Sequence, residues 1–93
     1  MSVDFTSQVC VPSNVLVRKL DEESVLLNLD SEQYYGLDEV GTRMLDVLCE
    51  SDSVEAAYGQ LVDEYEVDPK TLRTDLAGLA EALVARGLLR VLG

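Results

Sequence analysis

"SVLLNLDSEQYYGLDEVGTRM", residues 24–44, changes its period halfway along. The first part, "SVLLNLD" (24–30), is a nearly continuous apolar run, the pattern of a central strand. "SEQYYGL" (31–37) follows after almost no connection, which predicts a tight hairpin around Asp30–Glu32. Past Leu37 the spacing turns helical: Asp38 is placed to cap a helix whose apolar face carries Val40, Met44, Leu45 and Leu48.

Working outward, "NVLVRKL" (14–20) is β-branched and apolar and ends at the acidic turn "DEES" (21–24), so it supplies the first of three strands in an antiparallel meander. The first twelve residues show no period and Pro12 closes them; residues 1–13 are expected to form a flexible arm ahead of a single domain spanning 14–93. Downstream, "ESDS" (50–53) breaks the first helix, and Asp52 with Glu55 resembles a capping box for a second. That helix carries Val54, Tyr58, Leu61, Val62 and Tyr65 on one face. In "VDPKT" (67–71), Asp68 as cap and Pro69 at the first helical position start a third helix, which runs to Arg86 and ends at Gly87. "LLRVL" (88–92) is expected to be a short extended tail packed back on the domain. Strands followed by helices define an α+β fold, winged helix-turn-helix-like: a three-stranded antiparallel β-meander, then three α-helices.

The composition excludes several function classes. The chain has 93 residues, enough for one small core, and its formal charge is −11, from 18 acidic and 7 basic side chains. No Lys or Arg occurs between Met44 and Pro69. That balance opposes nucleic-acid binding, and it is compatible with a basic protein partner. No apolar run is long enough to span a membrane, and "MSVDFTSQVC" lacks the pattern of a secretory signal, so a cytoplasmic location is expected. Cys10 and Cys49 are the only cysteines and histidine is absent, which removes a Cys/His zinc site; Cys49, following Leu45 and Leu48, reads as a small buried residue. With no histidine base, no nucleophile motif and no Gly-rich phosphate loop, neither catalysis nor a cofactor or metal is expected.

Two other classes have a foothold. "DSV" (52–54) faintly resembles the attachment motif of acyl and peptidyl carrier proteins, with Ser53 as the acceptor, but those are helical bundles and the strand "SVLLNLD" does not fit one. A winged-helix DNA-binding regulator fits the element order and conflicts with the charge.

Sheet edges are normally blunted by Lys, Pro or bulges. The first strand has Pro12 before it and Arg18 and Lys19 within it, whereas 31–37 has neither Lys nor Pro and one charge, Glu32. Such an edge is either covered by a loop, the tail or a second copy, or it accepts a strand from another chain. Alternation turns Tyr35 inward with Leu37 and Tyr34 outward. In the third helix Leu72, Leu76, Leu79 and Leu83 form a core stripe. One flank carries Ala77, Ala80 and Val84 with Arg73 at its head; the other carries Asp75, Ala82 and Arg86.

"ESVLLNLDSEQYYGLDEVGTRM" (23–44), "YEVDPKTLRTDL" (65–76) and "LVARGLL" (83–89) together resemble the family of protein D of pyrroloquinoline quinone biosynthesis (PqqD-like), over nearly the whole chain from about residue 14. Leu45 stands where the family often has an aromatic after "GTRM". The resemblance implies a recognition element for ribosomally synthesised, post-translationally modified peptides, with a winged-helix-like fold. In that family the leader segment of a precursor peptide adds as a strand beside the third strand and against the third helix. Carried over, the strand side is Ser31, Glu32, Gln33, Tyr34 and Tyr35, and the helix side is drawn from Leu72, Arg73, Asp75, Leu76 and Leu79. It further implies a separate maturation enzyme as partner, a lasso-type leader peptidase ahead of a radical S-adenosylmethionine enzyme, with the chain a monomer or weak dimer.

Overall fold

A computed structural model describes residues 3–92. In chain order the elements are β1 (Gln8–Cys10), β2 (Val15–Leu20), β3 (Glu23–Asn28), β4 (Tyr34–Leu37), α1 (Glu39–Glu50), α2 (Val54–Glu64), α3 (Pro69–Ala85) and β5 (Arg90–Leu92). β2, β3 and β4 form the expected antiparallel meander in the order 2-3-4. Leu20 pairs with Glu23, leaving Asp21 and Glu22 as the hairpin loop. Asp21 takes a φ of 60°, a conformation that tight hairpins need and that Asp tolerates.

The meander buries one face. Ser24, Leu26 and Asn28 of β3 point inward, and Leu37 of β4 joins them above α1. The inner side of α1 supplies Met44, Leu45, Val47 and Leu48; α2 adds Val54, Ala57 and Leu61; α3 adds Leu72, Leu76, Ala80 and Leu83. The buried hydroxyls of Ser24 and Thr42 lie 2.8 Å apart and satisfy each other where β3 crosses α1. All three helix starts are capped by side chains: Asp38 accepts from the Gly41 N–H, Ser53 from Ala56 and Asp68 from Lys70.

Four expectations are corrected. The segment expected as a flexible arm contains β1, which pairs antiparallel with β5, Val9 opposite Val91. Val3 and Val9 are buried, and the carbonyls of Ser7 and Phe5 accept the N–H groups of Val54 and Glu55 at the start of α2. The segment is therefore part of the core, and three residues were too few to show a period; residues 1 and 2 of the expected arm, and Gly93, lie outside the described residues. Second, Ser53, not Asp52, caps α2, because its hydroxyl is the group within reach of Ala56 N–H at 3.0 Å. Third, β4 begins at Tyr34 rather than at residue 31, since Glu32 has a φ of 60° and its N–H turns back to the Asn28 carbonyl. Fourth, Val40 is 43% exposed and off the buried face of α1.

One buried polar side chain joins three parts of the chain. The Asn28 Oδ1 accepts the N–H groups of Asp30 and Ser31 at 2.9 and 3.2 Å, and its Nδ2 donates to the Gly87 carbonyl at 3.2 Å. Gly87 ends α3 with a φ of +71°, and a Cβ on it would meet Asn28 Nδ2 at 2.9 Å, so both backbone and space demand glycine. Asn28→Ala should lower stability by about 2–3 kcal/mol, the cost of stranding several partly buried partners. Urea denaturation should show a lower midpoint with an unchanged slope; an unaltered midpoint would remove Asn28 from this role.

Candidate functional site

β4 ends the sheet: β3 pairs with one side of it, and among the described residues no strand pairs with the other. The register decides which groups are free. Asn28 donates its N–H to the Gln33 carbonyl at 2.8 Å. Alternation along the antiparallel ladder makes Leu26–Tyr35 and Ser24–Leu37 the next hydrogen-bonded pairs. The N–H and C=O groups of Tyr34 and Gly36 therefore point away from the sheet and are the unused edge.

That edge borders a groove with a cavity volume of about 410 Å³. β4 contributes Tyr35, Gly36 and Leu37 as one wall, and Asp75 and Leu79 of α3 form the other. The floor comes from the start of α1, through Asp38, Val40, Gly41 and Met44. The half-buried Tyr35 ring packs on the core, with the Arg86 guanidinium 5.1 Å from its centroid. Tyr34 faces the other way and is 73% exposed. The outward row it ends runs across the sheet as Leu16, Leu27 and Tyr34.

The residues named from the sequence separate into groups. Tyr35, Asp75 and Leu79 line the groove, and Tyr34 supplies the free edge beside it. Ser31, Glu32 and Gln33 lie in the β3–β4 loop, outside the strand. Leu72 and Leu76 are interior, 4% and 0% exposed, and support α3 from behind. Arg73 is on the opposite flank: its guanidinium lies 3.9 Å from the Phe5 ring centroid and 5.1 Å from that of Tyr58, and it pairs with Glu55 at 2.9 Å. It clamps the N-terminal segment to α2 and faces away from the groove. Gly36, Leu37, Asp38, Val40, Gly41 and Met44 also line the groove and were not among the expected site residues. Val40 carried a signal, since Asp38 ties the first turn of α1 directly to β4 and sets that turn beside the strand.

A second cleft, about 250 Å³, lies between the β2–β3 loop and α1 and is lined mostly by charged side chains. Several neutralise each other: Lys19 pairs with Asp46 at 2.8 Å, and Arg43 pairs with Glu64, whose carboxyl it holds below the ordinary value. Glu22 crowds Glu39 and raises its carboxyl. This cleft lacks an apolar floor. Cys10 and Cys49 are free thiols, and burial pushes the Cys49 thiol up, away from reactivity. Among the described residues no group of His, Cys, Asp or Glu could hold a metal, and no helix is long and apolar enough to cross a membrane.

A strand edge opening onto an apolar groove is the geometry of a peptide-binding module that works by strand addition. The family model for coenzyme PQQ synthesis protein D (PqqD) matches residues 23–89, and the chain belongs to this family. Among solved structures, TbiB1 in complex with the TbiA(beta) leader peptide is 34% identical with a TM-score of 0.79, covering 87% of this chain and 94% of that one. Lasso peptide synthetase B1 complexed with the leader peptide is 24% identical with a TM-score of 0.78, covering 89% of this chain and 98% of that one, a likeness of fold. No curated protein matches the chain.

The register makes two neighbouring tyrosines opposite in their tolerance of proline. Tyr34→Pro removes an N–H that points to solvent and should change stability by less than about 1 kcal/mol. Tyr35→Pro removes a ladder donor next to Leu26 and should cost about 3 kcal/mol. Thermal unfolding of the two variants checks the register: equal losses would contradict it.

Proposed function

We propose that this chain is a non-catalytic recognition module that binds the leader segment of a ribosomally made precursor peptide and presents it to a separate maturation enzyme. The leader adds as a strand beside β4. Its backbone pairs with the free groups of Tyr34 and Gly36, and alternate side chains enter the groove against α3. The observation that carries this reading is the unused edge of β4 facing an apolar groove. Family membership and the leader-bound state of TbiB1 support it. The enzyme served is a lasso-type leader peptidase in the first place, with a radical S-adenosylmethionine enzyme second.

The alternatives fare worse on particular residues. Ser53 uses its hydroxyl as the cap of α2, which gives it a structural task that a carrier attachment site would interrupt. A DNA-reading α3 would need free basic side chains along one face, but Arg73 is engaged with Glu55 and the Phe5 ring, and the groove side of α3 carries Asp75. The net charge of −11 adds repulsion from phosphate.

The test is anisotropy titration of the labelled N-terminal part of a short candidate precursor peptide drawn from the neighbouring reading frames, with amide exchange read on the protein. Wild type should bind, and exchange should slow at the Tyr34 and Gly36 amides. Tyr34→Pro should weaken binding about tenfold by removing one outward donor. Tight binding with unchanged exchange in β4 would locate the peptide elsewhere; no binding at all would end the leader-recognition reading.

A further inference from the structure

The walls of the groove carry two charges, and both are negative. Asp38 and Asp75 sit together at the end nearest Leu37, while the rest of the lining is uncharged. Asp38 commits one oxygen to the cap of α1, where Oδ1 accepts the Gly41 N–H at 2.8 Å. Asp75 is exposed and makes no hydrogen bond or ion pair among the described residues. Three of the seven basic side chains are engaged elsewhere: Lys19 with Asp46, Arg43 with Glu64 and Arg73 with Glu55. The start of α1 opposes this negative charge with about half a positive one, and Asp38 with Glu39 in the first turn outweighs it. Arg86 lies over Tyr35. Eleven positions of α3, roughly 16 Å, separate Asp75 from Arg86, about the span of five extended residues. The groove's own charge is thus negative and confined to one end, and Arg86 lies outside its lining, against the Tyr35 ring.

We infer that Asp75 is a specificity-determining residue: the peptide that fills this groove carries a lysine or arginine two residues before its apolar anchor. This deepens the strand-addition reading and rests on it. The spacing follows from the frame. Leu79, with Val40 and Met44, forms the apolar receptacle, and Asp75 lies one helical turn from Leu79, about 6 Å along the axis. Two residues of an extended strand cover about the same distance and return the side chain to the same face. The direction is that of antiparallel addition, which continues the all-antiparallel order of the meander: a partner antiparallel to β4 has its N-terminal end at Leu37 and Asp75. The basic residue therefore precedes the anchor.

The experiment uses wild-type protein and 20-residue synthetic peptides covering the N-terminal part of that candidate precursor, with each position replaced in turn by Lys and by Glu. On wild type, one position two residues before an apolar anchor should favour Lys over Glu by about fivefold, the scale of an exposed ion pair against a like-charge contact. Asp75→Lys should reverse the preference at that position alone. Asp63→Lys on α2 makes the same change in net charge away from the groove, and should leave the preference intact. Circular dichroism confirms that both variants are folded. If Asp75→Lys moves Lys and Glu peptides equally, Asp75 does not read the peptide's charge, and if Asp63→Lys reverses the preference as well, long-range charge accounts for the effect; either result ends the inference. A preferred position that follows the anchor would also overturn it. If no peptide binds wild type, the strand-addition reading itself falls, an outcome distinct from binding without a charge preference.

Discussion

The carboxamide of Asn28 holds the site in place. It is the inward residue at the end of β3, 7% exposed, and its two ends face opposite tasks. The oxygen gathers the N–H groups of Asp30 and Ser31, which shapes the loop that delivers β4. The nitrogen donates to the Gly87 carbonyl just past the end of α3. The two walls of the groove are thereby joined through one side chain, although β4 and α3 leave space between them. An apolar residue at 28 would fill the volume and leave those backbone groups without partners, a cost that hydrophobic burial of one side chain does not offset.

Around that junction the fold divides labour by flank. α3 turns Leu72, Leu76 and Leu83 into the core, Arg73 toward the N-terminal segment, and Asp75 and Leu79 toward the groove. Arg73 stacks on Phe5 and pairs with Glu55, so the N-terminal segment is secured on the side of α3 remote from β4. The β1–β5 pair closes the chain ends on each other. These contacts cover the helices and leave the β4 edge uncovered. An uncovered edge is a hazard for aggregation, and two features limit it: β4 is four residues long, and the net charge of −11 makes copies of the chain repel each other.

Strand addition also explains how one small domain could recognise a peptide without enclosing it. Backbone pairing is indifferent to side chains, so selectivity has to come from the groove. Here the groove offers the apolar surface of Val40, Met44 and Leu79 and an acidic end at Asp38 and Asp75. Shape and charge are thus presented in a fixed order along the strand direction.

The sequence by itself determined the local elements. The shift from period 2 to period 3.6 around Leu37, the caps at Asp38 and Asp68, Pro69 and the stop at Gly87 each encode structure through neighbouring residues, and the α+β meander with three helices followed. The open edge was legible for the same reason, as an absence of Lys and Pro around Tyr34 and Tyr35. What the tertiary structure decided depends on residues distant in the chain. β1 is three residues long and becomes a strand because β5 lies opposite it. The rotation of α3 sends Asp75 and Leu79 to the groove, Arg73 away from it, and Leu72 and Leu76 into the core. A helical pattern is unchanged by rotation about its own axis until neighbours are packed against it. Ser31, Glu32 and Gln33 fell in the loop for a similar reason: Asn28 bends the backbone there, and one asparagine in an apolar run does not announce which partners it will find.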